Sequence, residues 1–413
     1  MNKQTLIISC PASSRSGYGD HSRDIIRSLI AMNRFDVKIM DQRWGSCSRN
    51  ALTDDDIEIT SRIMRKNFDE QPDIWVQITV PNEFQKVGKY NIGITAGIET
   101  TSASSQWVEG CNNMDLIIVP SEHAKTSLKN STFDIRDSKT NETVRSLSVN
   151  PEIVVLFEGL DLSTFIKTDD IPEIVSTDIS TIPEEFCYLF VGHWLAGDFS
   201  HDRKDVGGMI RTFLETFKGI AQRNQPALIL KTSSATFSLT DRESILEKIS
   251  KIYKSVDGAI LPKIYLIHGD MTQQELNGLY NHNKVKAMIS FTHGEGFGRP
   301  LLEFGITGKP IMYPNWSGHV DFLSEHCIPL TGTLRNVHKS AVWKDVILPE
   351  SKWFYVDYNH ASGIIRDVHK QYKKHMQRSR KQTQYIKDNF SIKKMNSDFN
   401  KIIGQYVPQI GSN

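Results

Sequence analysis

The stretch 290–313 restricts the fold of this chain more than any other part of it. A short apolar run at 285–290 reads as a strand, and it ends in a turn carrying Gly294, Gly296 and Gly298. Pro300 suits the first turn of a helix, where its missing N–H costs nothing. Leu301, Leu302, Phe304 and Ile306 give that helix an apolar face, Gly308 stops it, and 310–313 is the next strand. Strand, glycine turn, helix and strand in that order make a unit of an α/β protein.

The chemistry of the turn follows from its geometry. A helix N-terminus carries unpaired N–H groups and partial positive charge, and glycines ahead of it let an anion approach the backbone. The turn therefore suits a diphosphate. Glu295 stands in the turn, and Glu303 about one helical turn beyond Arg299. A carboxylate accepting from a sugar or ribose hydroxyl makes a charge-assisted hydrogen bond worth roughly 1.5–3 kcal/mol. The plainer alternative is a glycine-rich turn with two solvated glutamates. The seven-residue spacing inside the order strand, turn, proline, helix, strand favours the ligand site.

Glu295 to Glu303, with Gly296-Phe297-Gly298 and Pro300-Leu301-Leu302 between them, resembles the signature of retaining GT-B glycosyltransferases typified by glycosyltransferase family 4. The resemblance implies that Glu295 contacts the transferred sugar and Glu303 the nucleotide ribose. It also implies that Gly296, Phe297, Gly298, Arg299, Pro300 and Leu301 line the donor. The segment 315–323 resembles the family's strand and loop after the signature.

Charge and cysteine usage narrow the class. The 413 residues suffice for two or three domains, and 49 Lys plus Arg nearly cancel 48 Asp plus Glu, so global charge selects no partner. Five cysteines are scattered without a Cys-x-x-Cys spacing, which fits reduced thiols and no zinc site. The apolar run at the N-terminus is too short for a signal peptide, and no run approaches the length of a spanning helix. The expected location is the cytoplasm, or the host cytoplasm for a phage-encoded protein.

Along the chain, a strand at 5–9 feeds Gly17, Tyr18 and Gly19 and then a helix. Such a turn either admits a phosphate or sugar or merely redirects the chain. By the family resemblance these three residues approach the donor diphosphate and the acceptor. Asp54, Asp55 and Asp56 read as the cap of a helix running through Ile57 and Ile63 rather than a metal motif. Glu99 follows the strand at 91–95, at the carboxyl end where open α/β sheets place ligands, although a capping loop is the alternative. Family members carry a histidine or Glu-Thr near the transferred sugar at this place. Trp107 is expected to pack its helix onto the sheet. Residues 129–149 read as a polar loop or insertion, and 166–184 as a linker.

In the second half, Arg203 and Lys204 precede a helix, where two cations suit a leaving diphosphate. Family members hold the donor phosphates with an arginine and a lysine near here, but His193 stands where the usual arginine would be and Asp205 where the usual glycine would be. Lys231 ends a strand and is a further phosphate candidate. His268 follows the next strand, where the family often places the nucleotide base. Thr272 is expected to cap the following helix.

The two alternating halves, with the motif, imply an α/β GT-B fold: two doubly wound Rossmann-like domains facing a cleft. The expected domains are 1–165, an acceptor domain rejoined by about 391–413, and 166–390, the donor domain. The implied reaction moves a sugar from a nucleoside diphosphate to an acceptor hydroxyl with retention, without metal or other cofactor. The first half, at 41–45 and 91–101, resembles glycosyltransferases of T-even-like bacteriophages, some of which modify 5-hydroxymethylcytosine in DNA. The basic stretch 368–387 holds seven Lys or Arg and is either a solvated face or a surface for DNA phosphate or a peripheral membrane contact. A lipid-linked or polysaccharide acceptor, and a non-catalytic nucleotide-sugar-binding module, remain open, as does the oligomeric state.

Overall fold

A computed structural model describes residues 3–66, 68–137, 139–234, 237–258 and 260–410. Ser138 of the expected 129–149 loop and residues 411–413 of the expected C-terminal return lie outside the described residues. The described residues form two compact units, one from 3–159, 343–348 and 392–410, the other from 160–342 and 349–391.

The first unit is built on β1 (Gln4–Cys10), β2 (Phe35–Asp41), β3 (Ile74–Ile78), β4 (Tyr90–Ile94) and β5 (Leu116–Val119). An antiparallel hairpin, β6 (Phe133–Arg136) with β7 (Thr143–Leu147), precedes β8 (Glu152–Val155). The sheet order is β2-β1-β3-β4-β5-β8, parallel throughout. All four residues of β5 are buried, as a parallel sheet covered on both faces requires. The helices are α1 (Gly17–Ala31), α2 (Ile57–Thr60), α3 (Ser105–Cys111), α4 (Glu122–Asn130) and a C-terminal helix, Ile392–Tyr406. One apolar cluster joins Ile25, Ile26 and Leu29 of α1 to Met395, Phe399 and Ile403 of the C-terminal helix. Another holds Trp107 with Trp75, Ile117 and Leu128, so Trp107 does pack its helix onto the sheet.

The polar 129–149 segment, expected as a loop or insertion, carries the β6–β7 hairpin. One local expectation for this unit is corrected. Helix α2 is a single turn that ends at Thr60, and no side chain caps it. Asp56 accepts instead from the Thr53 amide at 2.8 Å and pairs with Arg27 at 2.6 Å.

The second unit contains β9 (Cys187–Val191), β10 (Ala227–Lys231), β11 (Ile264–Ile267), β12 (Val285–Ile289), β13 (Ile311–Pro314) and β14 (Ile328–Leu330). Their order is β11-β10-β9-β12-β13-β14, all parallel. Counted within the unit this is 3-2-1-4-5-6, the Rossmann order. A separate antiparallel pair joins β15 (Gly332–Asn336) to β16 (Lys352–Val356). The helices are α5 (Glu173–Ser180), α6 (Val206–Phe217), α7 (Leu239–Ser255), α8 (Gln273–Asn281), α9 (Arg299–Gly305), α10 (Tyr358–Lys370) and α11 (Tyr372–Asn389). Thr272 caps α8 with a reciprocal capping box through Glu275. The expected linker at 166–184 is not structureless, because α5 buries Val175 and Ile179 there.

Both sheets are doubly wound, and each has one place where the strand order reverses. Loops leaving the carboxyl ends on either side of such a place diverge and leave a crevice for a ligand. In the first unit it lies between β1 and β3, and in the second between β9 and β12.

Candidate functional site

In the second unit the chain leaves β12 through residues 290–298, all of them buried. The turn is fastened on two sides. The His293 amide donates to the Arg203 carbonyl at 2.8 Å, which ties the turn to the loop that follows β9. The Glu295 amide donates to Ser317 Oγ at 3.0 Å, and the Gly318 amide to the Glu295 carbonyl at 2.9 Å. The second attachment demands glycine, since a Cβ on Gly318 would lie 2.0 Å from the Gly296 carbonyl oxygen. Gly298 takes φ 99°, the left-handed region, and starts α9 without any capping side chain.

These attachments bring three predicted residues together. Lys204 Nζ pairs with Glu295 Oε1, and Arg203 Nη1 lies 3.4 Å from Glu295 Oε2. Burial opposes ionisation of Glu295, but Lys204 and Arg203 outweigh it and hold its carboxyl at about 2. Glu295 is therefore a buried anion at neutral pH, set between two cations. Lys204, Glu295, Gly298, Pro300 and Leu301 line one small cavity with Val191 and Ser290. Phe297 instead packs its ring on Phe322, with centroids 4.9 Å apart.

Glu303 is also buried, and two donors fix it. Tyr280 donates its hydroxyl to Oε2 at 3.0 Å, and Arg299 Nε lies 3.2 Å from Oε1. Burial, with Glu303 beside it, pushes the Tyr280 phenol well above its ordinary value, so it stays a donor. Tyr280 was not found from sequence, because it belongs to α8, 23 residues upstream, and no spacing links it to Glu303.

Lys231 ends β10, and His268 directly follows the adjacent strand β11. Lys231 Nζ donates to the Gly269 carbonyl at 2.6 Å, and burial lowers its pKa. His268 Nε2 lies 2.8 Å from Asp241 Oδ2. His193, which follows Gly192 at the end of β9, contacts Ser233 Oγ at 3.2 Å through Nδ1. Its pKa is lowered by burial first, then by the charges of Lys204 and Arg203, so it sits within the same cationic field.

The first unit gathers its own predicted residues at its reversal point. Ser16 caps α1 by accepting from the Gly19 amide, and a Cβ on Gly19 would meet the Ser14 carbonyl oxygen at 2.0 Å. Gly17 has open space around it. The Tyr18 hydroxyl lies 3.0 Å from Thr95 Oγ1 and accepts from the Ala96 amide at 3.1 Å, past the end of β4. Its ring stacks on Trp44, centroids 4.0 Å apart. Burial, with a smaller contribution from the Glu99 charge, pushes the Tyr18 phenol up to about 12. The contacts of Thr95 and Trp44 were not read from sequence.

Over 97% of this chain and the full length of the other, the structure is similar to Anabaena HepE, solved in complex with UDP and glucose, with a TM-score of 0.62 at 10% identity. The fold is GT-B. Sucrose-phosphate synthase from Thermosynechococcus elongatus has a TM-score of 0.64 at 12% identity, over 98% of this chain and 99% of that one. A glycosyltransferase from Rickettsia africae has the same TM-score and identity, over 99% and 100%. No protein-family model matches the sequence, and no curated protein sequence does. Among the described residues no three His, Cys, Asp or Glu side chains are grouped as a metal site, and no helix is long and apolar enough to cross a membrane. All five cysteines are free thiols.

Proposed function

We propose that this GT-B chain is a retaining glycosyltransferase of the family 4 type that takes its sugar from a nucleoside diphosphate. The observation that carries the reading is the convergence of Arg203 and Lys204 on Glu295 where the β9–β12 order reverses, beside an uncapped glycine turn. Two cations there offset the charge that grows on a leaving diphosphate. Glu295, held ionised by the same cations, accepts from hydroxyls of the transferred sugar. Glu303, fixed by Tyr280 and Arg299, accepts from the ribose, and His268 with Gly269 faces the base. Glu99 and the turn at Gly17, Tyr18 and Gly19 are assigned to the sugar and acceptor. HepE was also solved with UDP-glucose, which makes that donor the first to try. No divalent metal is assigned a role, so chelation is expected to leave the rate unchanged.

For the acceptor we propose 5-hydroxymethylcytosine in DNA, as in enzymes of T-even-like phages, with the reaction in the cytoplasm. The supporting observation is α11. Lys373, Lys374, Arg378, Arg380, Lys381 and Lys387 are all exposed on it, while its apolar Ile386 is buried. A helix that lies in a membrane surface presents an apolar face as well as a basic one. Phosphate backbone fits this face better than lipid.

The test uses the full chain. Nucleotide sugars should raise its melting temperature, Glu303→Ala should weaken nucleotide binding, and Glu295→Ala should mainly slow transfer. Wild-type transfer by both variants would refute the site. Donor binding without transfer to DNA, lipid-linked or polysaccharide acceptors would reduce the protein to a binding module. Transfer to hydroxymethylated DNA that falls steeply with salt would support the acceptor, and transfer only to a lipid acceptor would overturn it.

A further inference from the structure

The second unit contains another pocket, outside the residues assigned to the donor. It measures about 430 Å³ and is lined by His201, Arg335, Asn336, His338, Lys339 and Tyr355. No lining residue is acidic. His201 and His338 stack face to face, centroids 3.9 Å apart and planes 11° apart. His201 Nδ1 lies 3.2 Å from the Tyr355 hydroxyl, and the Arg335 guanidinium lies 5.5 Å over the Tyr355 ring.

A relay of hydrogen bonds sets the tautomer of His338. The Asp198 amide donates to Ser340 Oγ at 2.9 Å, which leaves the Ser340 hydroxyl proton for His338 Nδ1 at 2.7 Å. The Ser340 amide donates to the same nitrogen at 3.3 Å. Nδ1 is thus an acceptor, and neutral His338 carries its proton on Nε2. The Asp198 carboxylate is 4.0 Å from His338 Nδ1 and mostly exposed, so it screens the pocket weakly. The lining therefore offers guanidinium, ammonium, imidazole N–H and amide N–H donors with few acceptors. Such a set matches an oxyanion with several acceptor oxygens. The stacked imidazoles and Tyr355 supply a flat apolar wall beside it.

We propose that this pocket binds a phosphate group, either free phosphate or the monoester of a small planar molecule. Arg335 and Lys339 supply the charge, His338 a directed N–H, and the His201–His338 stack the wall. The site is distinct from the Glu295 cavity and does not depend on the donor assignment.

The experiment titrates the intact protein with inorganic phosphate and with phenyl phosphate while following the imidazole signals of His201 and His338 by NMR. Both probes should shift these signals saturably, and chloride at equal ionic strength should not. Tighter binding of phenyl phosphate would assign the site to a planar monoester, and equal binding to the free ion. Arg335 and Lys339 are exposed, so R335Q alone and R335Q with K339Q should keep the fold, with the double variant binding about tenfold more weakly or worse. Lys204→Ala, which disables the Glu295 cavity, should leave the titration intact. A response that never saturates, that chloride reproduces, or that Lys204→Ala removes while the double variant does not, overturns the proposal.

Discussion

Asp202 shows how a residue beside the proposed donor site costs the fold something. It precedes the cation pair, is 1% exposed, and accepts from the Val206 amide at 3.3 Å. Burial raises its carboxyl to about 6, despite that hydrogen bond and the charge of Lys248. Asp205, three residues on, is wholly buried too, and it accepts from the Tyr358 hydroxyl at 2.6 Å. A carboxyl whose folded pKa lies above its unfolded one binds its proton more tightly when folded, so its effect on stability turns unfavourable as pH rises from about 4 to 6. Above pH 6 the ionised form costs about 2–3 kcal/mol at most. Asp202→Asn keeps an oxygen for the Val206 amide and removes that cost. Urea denaturation should find the variant more stable at pH 7 and equal to wild type near pH 4. Equal stability at both pH values would mean that Asp202 is not ionised against its surroundings.

At the scale of elements, α9 depends on the conformation of one residue. Gly298 stands at φ 99°, and a Cβ there would lie 3.0 Å from the His319 Cβ. Gly298→Ala should cost about 1–2 kcal/mol from the left-handed backbone alone, and should weaken donor binding by shifting the start of α9. Gly363 is the control. It is helical in α10, and a methyl group added there would meet nothing within 4 Å, so Gly363→Ala should stabilise by about 0.5–1 kcal/mol. Calorimetric melting that moves both variants the same way would refute the conformational argument. The same residues show what sequence reading reaches. The β12–α9–β13 unit was legible because apolar runs, glycines and Pro300 all mark it, and the Thr272 cap because a threonine directly precedes its helix. The β6–β7 hairpin was not: four of the five β7 residues are exposed, which leaves no apolar alternation to read. Helix α5 offered only Val175 and Ile179 as an apolar stripe, amid prolines and acids. In the site, Glu295, Arg203 and Lys204 stood out by residue type, whereas Ser317 and Tyr280 meet the glutamates only through sheet topology.

At the scale of the molecule, the chain closes its first unit with its own far end. Met395, Phe399, Ile403 and Val407 are buried in the cluster that holds Leu6, Ile8, Ile25 and Leu29, more than 360 residues away in sequence. Close packing supports this placement, since a Cβ on Gly159 would lie 2.6 Å from the Ile392 Cα. Burying such side chains contributes about 1.5–3 kcal/mol each, so together the four supply roughly 6–12 kcal/mol. That is comparable with the whole stability of an ordinary domain, about 5–15 kcal/mol. The second-unit cluster that holds Tyr188, Phe213, Leu230 and Ile365 includes no residue of this helix. A chain ending at Ser391 should therefore lose its first unit while the second stays folded. Limited proteolysis with mass spectrometry should then show early cuts throughout 3–159 and a resistant fragment within 160–391. Uniform resistance along the truncated chain would show that the helix is dispensable to the first core, and uniform cutting that the second unit cannot hold its fold without the first.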